Sequence, residues 1–256
     1  MNVVSVITAV DPERSKHLPE TWESLRSQRL PVGWSWEWLV QCDSVAREDQ
    51  DVVRSVLPSD DARISFGASR KGGPGIARTM ALARAGGDLV KTLDADDRLT
   101  PGALARDIFG LSQPGVSWAA SRVVDDRDGV RSPHYPYDPS PGRIPSGAAY
   151  HAYTTESFRI LVHPATLCIS HATLVALGGW MALPASEDTG LLMALDAVSD
   201  GWFTDEVGMI YRRWEPQMSA SAAHADPDEL AARRGIIVKR ADALNRLLAD
   251  WRVPTS

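Results

Sequence analysis

The sequence predicts an α/β fold with a mostly parallel central sheet and helices on its faces. Three observations carry this expectation. Short apolar, β-branched runs alternate with amphipathic stretches through the first half of the chain. Those runs are nearly continuous in hydrophobicity, as in strands covered on both sides. Helix punctuation, proline in first turns and glycine at ends, falls between them.

Val3 to Ala9 reads as the first strand. Leu18, Trp22 and Leu25 recur at helical spacing, with Pro19 suited to a first turn. Trp36 to Cys42 is a second strand, and Val45 to Leu57 a helix with Val52, Val53 and Val56 as its apolar positions. Arg63 to Phe66 forms a short third strand, and Pro74 to Ala85 a helix stopped by Gly86 and Gly87. Leu89 to Leu93 is the fourth strand; Thr100 then caps a helix with Pro101 in its first turn. Val116 to Val124 is the fifth strand.

The pattern then changes. Asp125 to Ser146 carries Pro133, Pro136, Pro139, Pro141 and Pro145 with little periodicity, and reads as a long functional or mobile loop. Strands are expected at Thr166 to Ser170 and Trp202 to Arg212, helices at His171 to Leu177 and Glu187 to Val198. A closing helix places Leu230, Ile237, Ala241, Leu244, Leu248 and Trp251 on one stripe. Its Arg233, Arg234, Lys239 and Arg240 read as a solvated face, with peripheral contact to anionic lipid as the lesser alternative. Trp34, Trp36 and Trp38 share a strand face and read as packing residues. The expected organisation is one domain in two halves, 1–124 and 125–225, followed by the helix of 226–256.

Composition excludes several classes. With 44% hydrophobic and 23% charged residues, the chain is neither disordered nor collagen-like. A formal charge of −6 lacks the basic footprint of a non-specific nucleic-acid binder. Cys42 and Cys168 are the only cysteines, so a disulfide framework or Cys-rich zinc site is excluded; a single bridge is the alternative to a reducing cytoplasmic setting, which is the simpler expectation. The stretch Val3 to Val10 lacks a basic leader, and the run Leu174 to Ala185 is broken by Gly178, Gly179 and Pro184; neither reads as a targeting or membrane-spanning segment.

Ligands of open α/β sheets bind beyond the carboxyl ends of the strands, which directs attention to Asp11, Asp43, the loop from Gly67, and Asp94 to Asp97. In Leu93-Asp94-Ala95-Asp96-Asp97, three carboxylates within four residues repel one another, and a hard divalent cation with oxygen ligands would offset that. A solvated turn before a helix accounts for the same residues. Arg70-Lys71-Gly72-Gly73-Pro74-Gly75-Ile76-Ala77-Arg78 combines glycines, cations and a helix start, which suits a phosphate or an ordinary strand-to-helix loop. It is not a Walker A loop, since Gly73 stands where lysine is required, nor a Rossmann fingerprint, since Arg78 stands where the third glycine belongs. Ser186-Glu187-Asp188 fits plain helix-start chemistry or supplies a general base. The six histidines show no metal-binding spacing, and no Gly-x-Ser-x-Gly elbow occurs.

Taken in order, these segments resemble the family 2 glycosyltransferases. The resemblance is carried by Val4-Ser5-Val6-Ile7, Glu37-Trp38-Leu39-Val40-Gln41-Cys42-Asp43-Ser44, Gly75-Ile76-Ala77-Arg78, Leu93-Asp94-Ala95-Asp96-Asp97, Gly178-Gly179-Trp180, Glu187-Asp188, and Tyr211-Arg212-Arg213-Trp214 leading to Gln217-Met218-Ser219. It implies the GT-A fold and metal-assisted, inverting transfer of a sugar from a nucleoside-diphosphate donor (UDP or GDP favoured) to an acceptor hydroxyl. It implies Mn²⁺ or Mg²⁺ at Asp96 and Asp94. The donor-binding set would be Ala9, Asp11, Asp43, Gly75, Arg78, Asp94, Ala95, Asp96, Arg212 and Arg213. Asp43 would bond the nucleobase, Arg78 the base or phosphate, Asp94 the ribose side, and Arg212 and Arg213 the diphosphate. Asp188 would be the general base, with Glu187 as the second candidate. Residues 1–124 would then hold the donor and 125–225 the acceptor. A homodimer is compatible with all of this. The sequence departs from the family pattern at Ala9-Val10-Asp11-Pro12 after the first strand, at Cys42 where an acid is usual, and at Trp214 where a metal-binding histidine is often found. A nucleotidyltransferase and a catalytically silent nucleotide binder are the alternative readings.

Overall fold

A computed structural model describes residues 1–133, 138–213 and 226–252, with the side chains of 250–252 excluded. Strand β1 (Asn2–Val10) leads through a 3₁₀ turn (Pro12–His17) into α1 (Leu18–Arg26). There follow β2 (Trp34–Cys42), α2 (Arg47–Ser55), β3 (Ile64–Ala68), α3 (Pro74–Ala81), β4 (Leu89–Thr92), β5 (Arg98–Leu99) and α4 (Ala103–Leu111). The second half holds β6 (Val116–Arg127), β7 (Val130–Pro133), β8 (Gly142–Ile144), α5 (Ala148–Thr155), β9 (Cys168–Ser170), α6 (His171–Ala176), α7 (Glu187–Val198), β10 (Asp200–Arg212) and α8 (Pro227–Arg252).

The strands form one sheet in the order β3-β2-β1-β4-β9-β6-β10-β5, with β7 beside β6 and β8 beside β10. The β3-β2-β1-β4 portion is parallel, as is the β6–β10 pair; β9 runs antiparallel between them. Register positions the site. Val10 lies opposite Cys42, and Asp43 N–H donates to Val10 C=O (2.9 Å), so Asp11 and Asp43 leave the sheet side by side. Ile7 lies opposite Thr92, which brings Leu93 and the acidic turn out beside Thr8 and Ala9.

Side chains of β1 and β2 alternate between two cores, as the pleat requires. Val4, Val6, Val10, Trp36, Trp38 and Val40 pack with α1 and α4, and Ile7 and Leu39 face the opposite layer with α7, Phe203 and Ile237. Trp22 of α1 stacks on Trp38 (5.7 Å between centroids, 16° between planes) and meets Trp36 edge-on, which confirms the packing role of the tryptophan face. Both cysteines are free and buried. No described helix is long and apolar enough to cross a membrane.

Several expectations need correction. Residues 125–146 are not a plain loop: β6 continues to Arg127, β7 folds back on it, and β8 joins β10. Thr100 does not cap α4; its hydroxyl donates to Val207 C=O, and Gly102, at φ 77°, precedes the helix instead. Helix α5 had no sequence signal because its N-terminal amides are held from afar, Tyr150 N–H donating to Asp196 of α7 (2.8 Å). Helix α2 is shorter than expected, and of its valines only Val53 is buried. Of the four basic positions of α8 only Lys239 is exposed, as a solvated face requires; the other three are not. Arg233 is buried and paired with Glu229 (2.7 Å), Arg234 lies over the Phe158 ring (4.0 Å), and Arg240 donates to Leu177 C=O. Trp214, Gln217, Met218, Ser219 and the Trp251 side chain lie outside the described residues.

Strand β4, which delivers the acidic turn, is braced by a buried ion pair between Lys91 and Asp107 of α4 (2.8 Å). Lys91 also donates to Thr166 C=O. Removing one partner strands the other charge out of water. Lys91→Met is expected to cost roughly 3–5 kcal/mol in urea unfolding, and the Lys91→Met/Asp107→Leu double variant to recover most of it.

Candidate active site

A cleft of about 520 Å³ opens at the carboxyl ends of β1, β2 and β4. Of the residues singled out in the sequence, Ala9, Asp11, Asp43, Arg78, Asp94, Ala95, Asp96, Glu187 and Asp188 line it. Gly75, Arg212 and Arg213 do not.

At the β1–β2 end, Asp43 accepts the backbone N–H groups of Gly72 (2.8 Å) and Gly73 (2.9 Å), one on each oxygen. Its carboxylate therefore anchors the glycine loop, and each oxygen keeps a second lone pair. Gly73 sits at φ 85°, which explains the glycine there. Asp11 caps the 3₁₀ turn through Glu13 N–H and faces Lys71 Nζ at 3.4 Å, an ion pair from β1 to the loop after β3.

The acidic run divides. Asp94 and Asp96 face the cleft, whereas Asp97 turns inward and is fully buried. One Asp97 oxygen accepts Arg212 N–H (2.9 Å); the other has no hydrogen-bond partner. Burial, then Asp96 and Asp94, push its carboxyl well above the usual range. The repulsion expected of three adjacent acids is thus relieved in part by one of them favouring the neutral form. Thr21 of α1 locks the turn by donating to Ala95 C=O (2.9 Å) and Asp97 C=O (3.0 Å).

Arg78 is buried in the wall of the cleft, where its guanidinium meets two carboxylates. Nη2 donates to Asp94 (2.5 Å) and Nη1 to Glu187 (3.1 Å). Burial works against its charge, but Asp94, Glu187 and Asp188 outweigh that and raise its pKa. Gly75 serves packing: a Cβ there would lie 2.7 Å from Glu187 Cγ, so glycine lets α3 approach α7.

Glu187 and Asp188 open α7, but not through ordinary capping. Ser186 adopts φ 64° and its side chain caps nothing, so the helix-start reading of this serine fails. Glu187 is buried, and burial, followed by Asp188, pushes its pKa up to about 7. Asp188 is half-buried by its neighbours, accepts Thr189 N–H (2.7 Å) and is raised by burial against the pull of Arg78.

Arg212 and Arg213 are committed elsewhere. Arg212 pairs with Glu20 (2.5 Å) and donates to Asp96 C=O, and Arg213 pairs with Asp125 (3.0 Å). Their neighbour Tyr211 takes the cleft position, its ring 5.1 Å from that of His163. Arg14, Lys71, Ile160 and His163 also line the cleft. Lys71 lay in the glycine-rich motif; His163 and Ile160 carried no signal, because only tertiary packing brings them there.

Two carboxylates facing a cleft form a hard-oxygen donor set that suits Mg²⁺ or Mn²⁺ when substrate phosphates complete the shell. Among the described residues no group of three or more His, Cys, Asp or Glu could hold an ion. Asp94 and Asp96 are the residues that would hold it.

The family model for glycosyl transferase family 2 matches residues 5–175. The chain belongs to this family. No curated protein sequence matches it. Among solved structures the family member is similar to S. aureus TarS 1-349 in complex with UDP-GlcNAc: TM-score 0.68, 19% identity, 87% of this chain and 61% of that one covered. The TarS 1-349 complex with UDP gives 0.66 and 17%, covering 94% and 65%. Mannosyltransferase PcManGT from Pyrobaculum calidifontis, in complex with GDP-Man and Mn²⁺, gives 0.58 and 16%, covering 96% and 75%. The chain thus spans less than two thirds of the TarS structures it matches. The likenesses establish the GT-A fold expected for the family, with a sheet more mixed than the sequence suggested.

A raised carboxyl pKa means the native state holds a proton that the unfolded chain has released. The Glu187 contribution therefore favours folding below its ordinary value of 4.5 and is lost as pH rises through about 7. Thermal melts of metal-free protein should show Tm falling across that window, and Glu187→Gln should flatten the decline.

Proposed function

We propose that this chain is an inverting glycosyltransferase that moves a sugar from a nucleoside-diphosphate donor to an acceptor hydroxyl, assisted by a divalent cation. The observation that carries the proposal is one cleft holding two chemistries: the Asp94/Asp96 turn on one wall and the Glu187–Asp188 turn on another. Asp11, Asp43 and Lys71 line the end expected to receive the nucleoside, in the half formed by residues 1–124. Ile160, His163 and Tyr211, from the second half, line the remainder and would shape the acceptor side. The TarS and PcManGT complexes, with UDP-GlcNAc and GDP-Man, support a UDP- or GDP-sugar.

The chemistry follows from these placements. A bound cation would draw negative charge from the departing diphosphate. Asp94 and Asp96 would orient that diphosphate, which fixes the face of the sugar left open. Asp188 would take the proton of the acceptor hydroxyl as it attacks the anomeric carbon. A single displacement with one base inverts the anomeric centre, unlike the two-carboxylate route of retaining glycosidases.

Thermal shifts with UDP, GDP, dTDP and CMP, each with and without Mn²⁺, test the donor assignment. UDP or GDP should protect only with metal, by about 2.7 kcal/mol at a hundredfold excess over Kd, and Asp96→Ala should abolish the metal dependence. Asp188→Asn should lower kcat by roughly 10²–10⁴ while leaving nucleotide binding intact. Release of pyrophosphate from a nucleoside triphosphate, instead of a nucleoside diphosphate from a sugar donor, would replace this reading with a nucleotidyltransferase.

A further inference from the structure

We propose that Arg78 is a positioning residue that ties the base-bearing turn of α7 to the acidic turn after β4, committing Glu187 to structure and leaving Asp188 as the proton acceptor. This rests on the glycosyl-transfer reading above.

Three elements meet at this guanidinium. Arg78 comes from α3, Asp94 from the end of β4 and Glu187 from the start of α7, and each hydrogen bond joins residues distant in sequence. The fork geometry of arginine suits two carboxylates held in different directions. Its two terminal nitrogens are both engaged, and its Nε is buried without a hydrogen-bond partner. The α3 face is shaped for this contact: Gly75, one turn before Arg78, is the position where a Cβ would collide with Glu187.

The consequence for α7 is specific. Its first turn departs from a left-handed Ser186 with no side-chain cap, a conformation that local chemistry does not favour and tertiary contacts must sustain. The Arg78–Glu187 bond acts on the very next residue. With Glu187 pinned to α3, Asp188 is the member of the pair more open to the cleft. The groups facing this pair are Arg78 from α3 and Asp94 from the β4 turn, with His163 and Tyr211 across the same cleft. Losing the cation would leave Glu187 buried beside Asp188 without compensation, so the pair would hold its proton to higher pH.

The test compares wild type, Arg78→Gln, Glu187→Gln and the double variant, with Arg78→Lys as a charge-conserving control. If Arg78 positions the turn, Arg78→Gln lowers kcat about a hundredfold, the scale of a small misplacement, without raising donor KM. The acid limb of its kcat/KM profile moves up by about one pH unit. Arg78→Lys keeps the acid limb in place but recovers little kcat, because it lacks the fork. In the Glu187→Gln background, Arg78→Gln adds little further loss. A much weaker affinity for UDP or GDP with kcat preserved would overturn the proposal and make Arg78 a donor ligand. Equal losses in both backgrounds would also overturn it. Thermal unfolding of the same four proteins supplies a readout independent of turnover: the double variant should lose less Tm than the two singles combined, and additive losses count against the pairing. If wild type transfers no sugar, the functional reading fails, and this unfolding cycle still decides whether Arg78 acts on Glu187.

Discussion

The carboxylates of Asp94, Asp96, Asp97, Glu187 and Asp188 crowd one end of the sheet, and their mutual repulsion is the constraint around which the surrounding structure is built. Two devices relieve it. Asp97 is withdrawn from the cleft and buried, where low polarity favours its neutral form. Arg78 is buried between Asp94 and Glu187, where each acid offsets part of the cost of keeping its charge out of water. What remains facing the cleft is a pair of acids suited to a cation on one wall and a helix start suited to proton transfer on another.

The sheet makes that arrangement attainable. Parallel pairing of β1 with β2 and β4 sends three chain segments out at one edge in a fixed register. Antiparallel β9 then lets the second half join the same sheet, and α7 returns across it with its N-terminus at the strand ends. Lys91 and Thr21 hold the acidic turn from opposite directions, one through β4 and α4, the other through α1. The turn is therefore anchored before any ligand arrives, as preorganised charge stabilisation requires.

Membership of glycosyl transferase family 2 gives this cleft a chemical context, while its details are particular to this chain. Asp43 spends one lone pair of each oxygen on the glycine loop, which fixes where its carboxylate stands in the cleft. The basic residues at the end of β10 brace Glu20 and Asp125 rather than lining the cleft. The position they leave is taken by Tyr211 against His163, a surface of aromatic character on the side proposed for the acceptor.

Strands β1, β2, β4 and β6 and helices α1, α3 and α7 were legible because each buries a continuous run or a periodic set of apolar side chains within one local segment. Taken singly, the acidic run and Glu187-Asp188 fit a solvated turn and plain helix-start chemistry; they stood out because they fall in the order of the family's segments. Strand β5, with two residues, is too short to show a period, and β7 and β8 exist only because β6 and β10 offer them edges. Helix α5 owes its start to Asp196, far away in the chain. The sequence by itself determined the alternation of strands and helices and the acidic character of the site, since both follow from short-range pattern. Only the tertiary structure decided which acids face the cleft, that Asp97 does not, and that Arg78 joins Asp94 to Glu187. Those choices rest on ion pairs, hydrogen bonds and burial between segments up to 115 residues apart, and nothing local to any one of them records the partner.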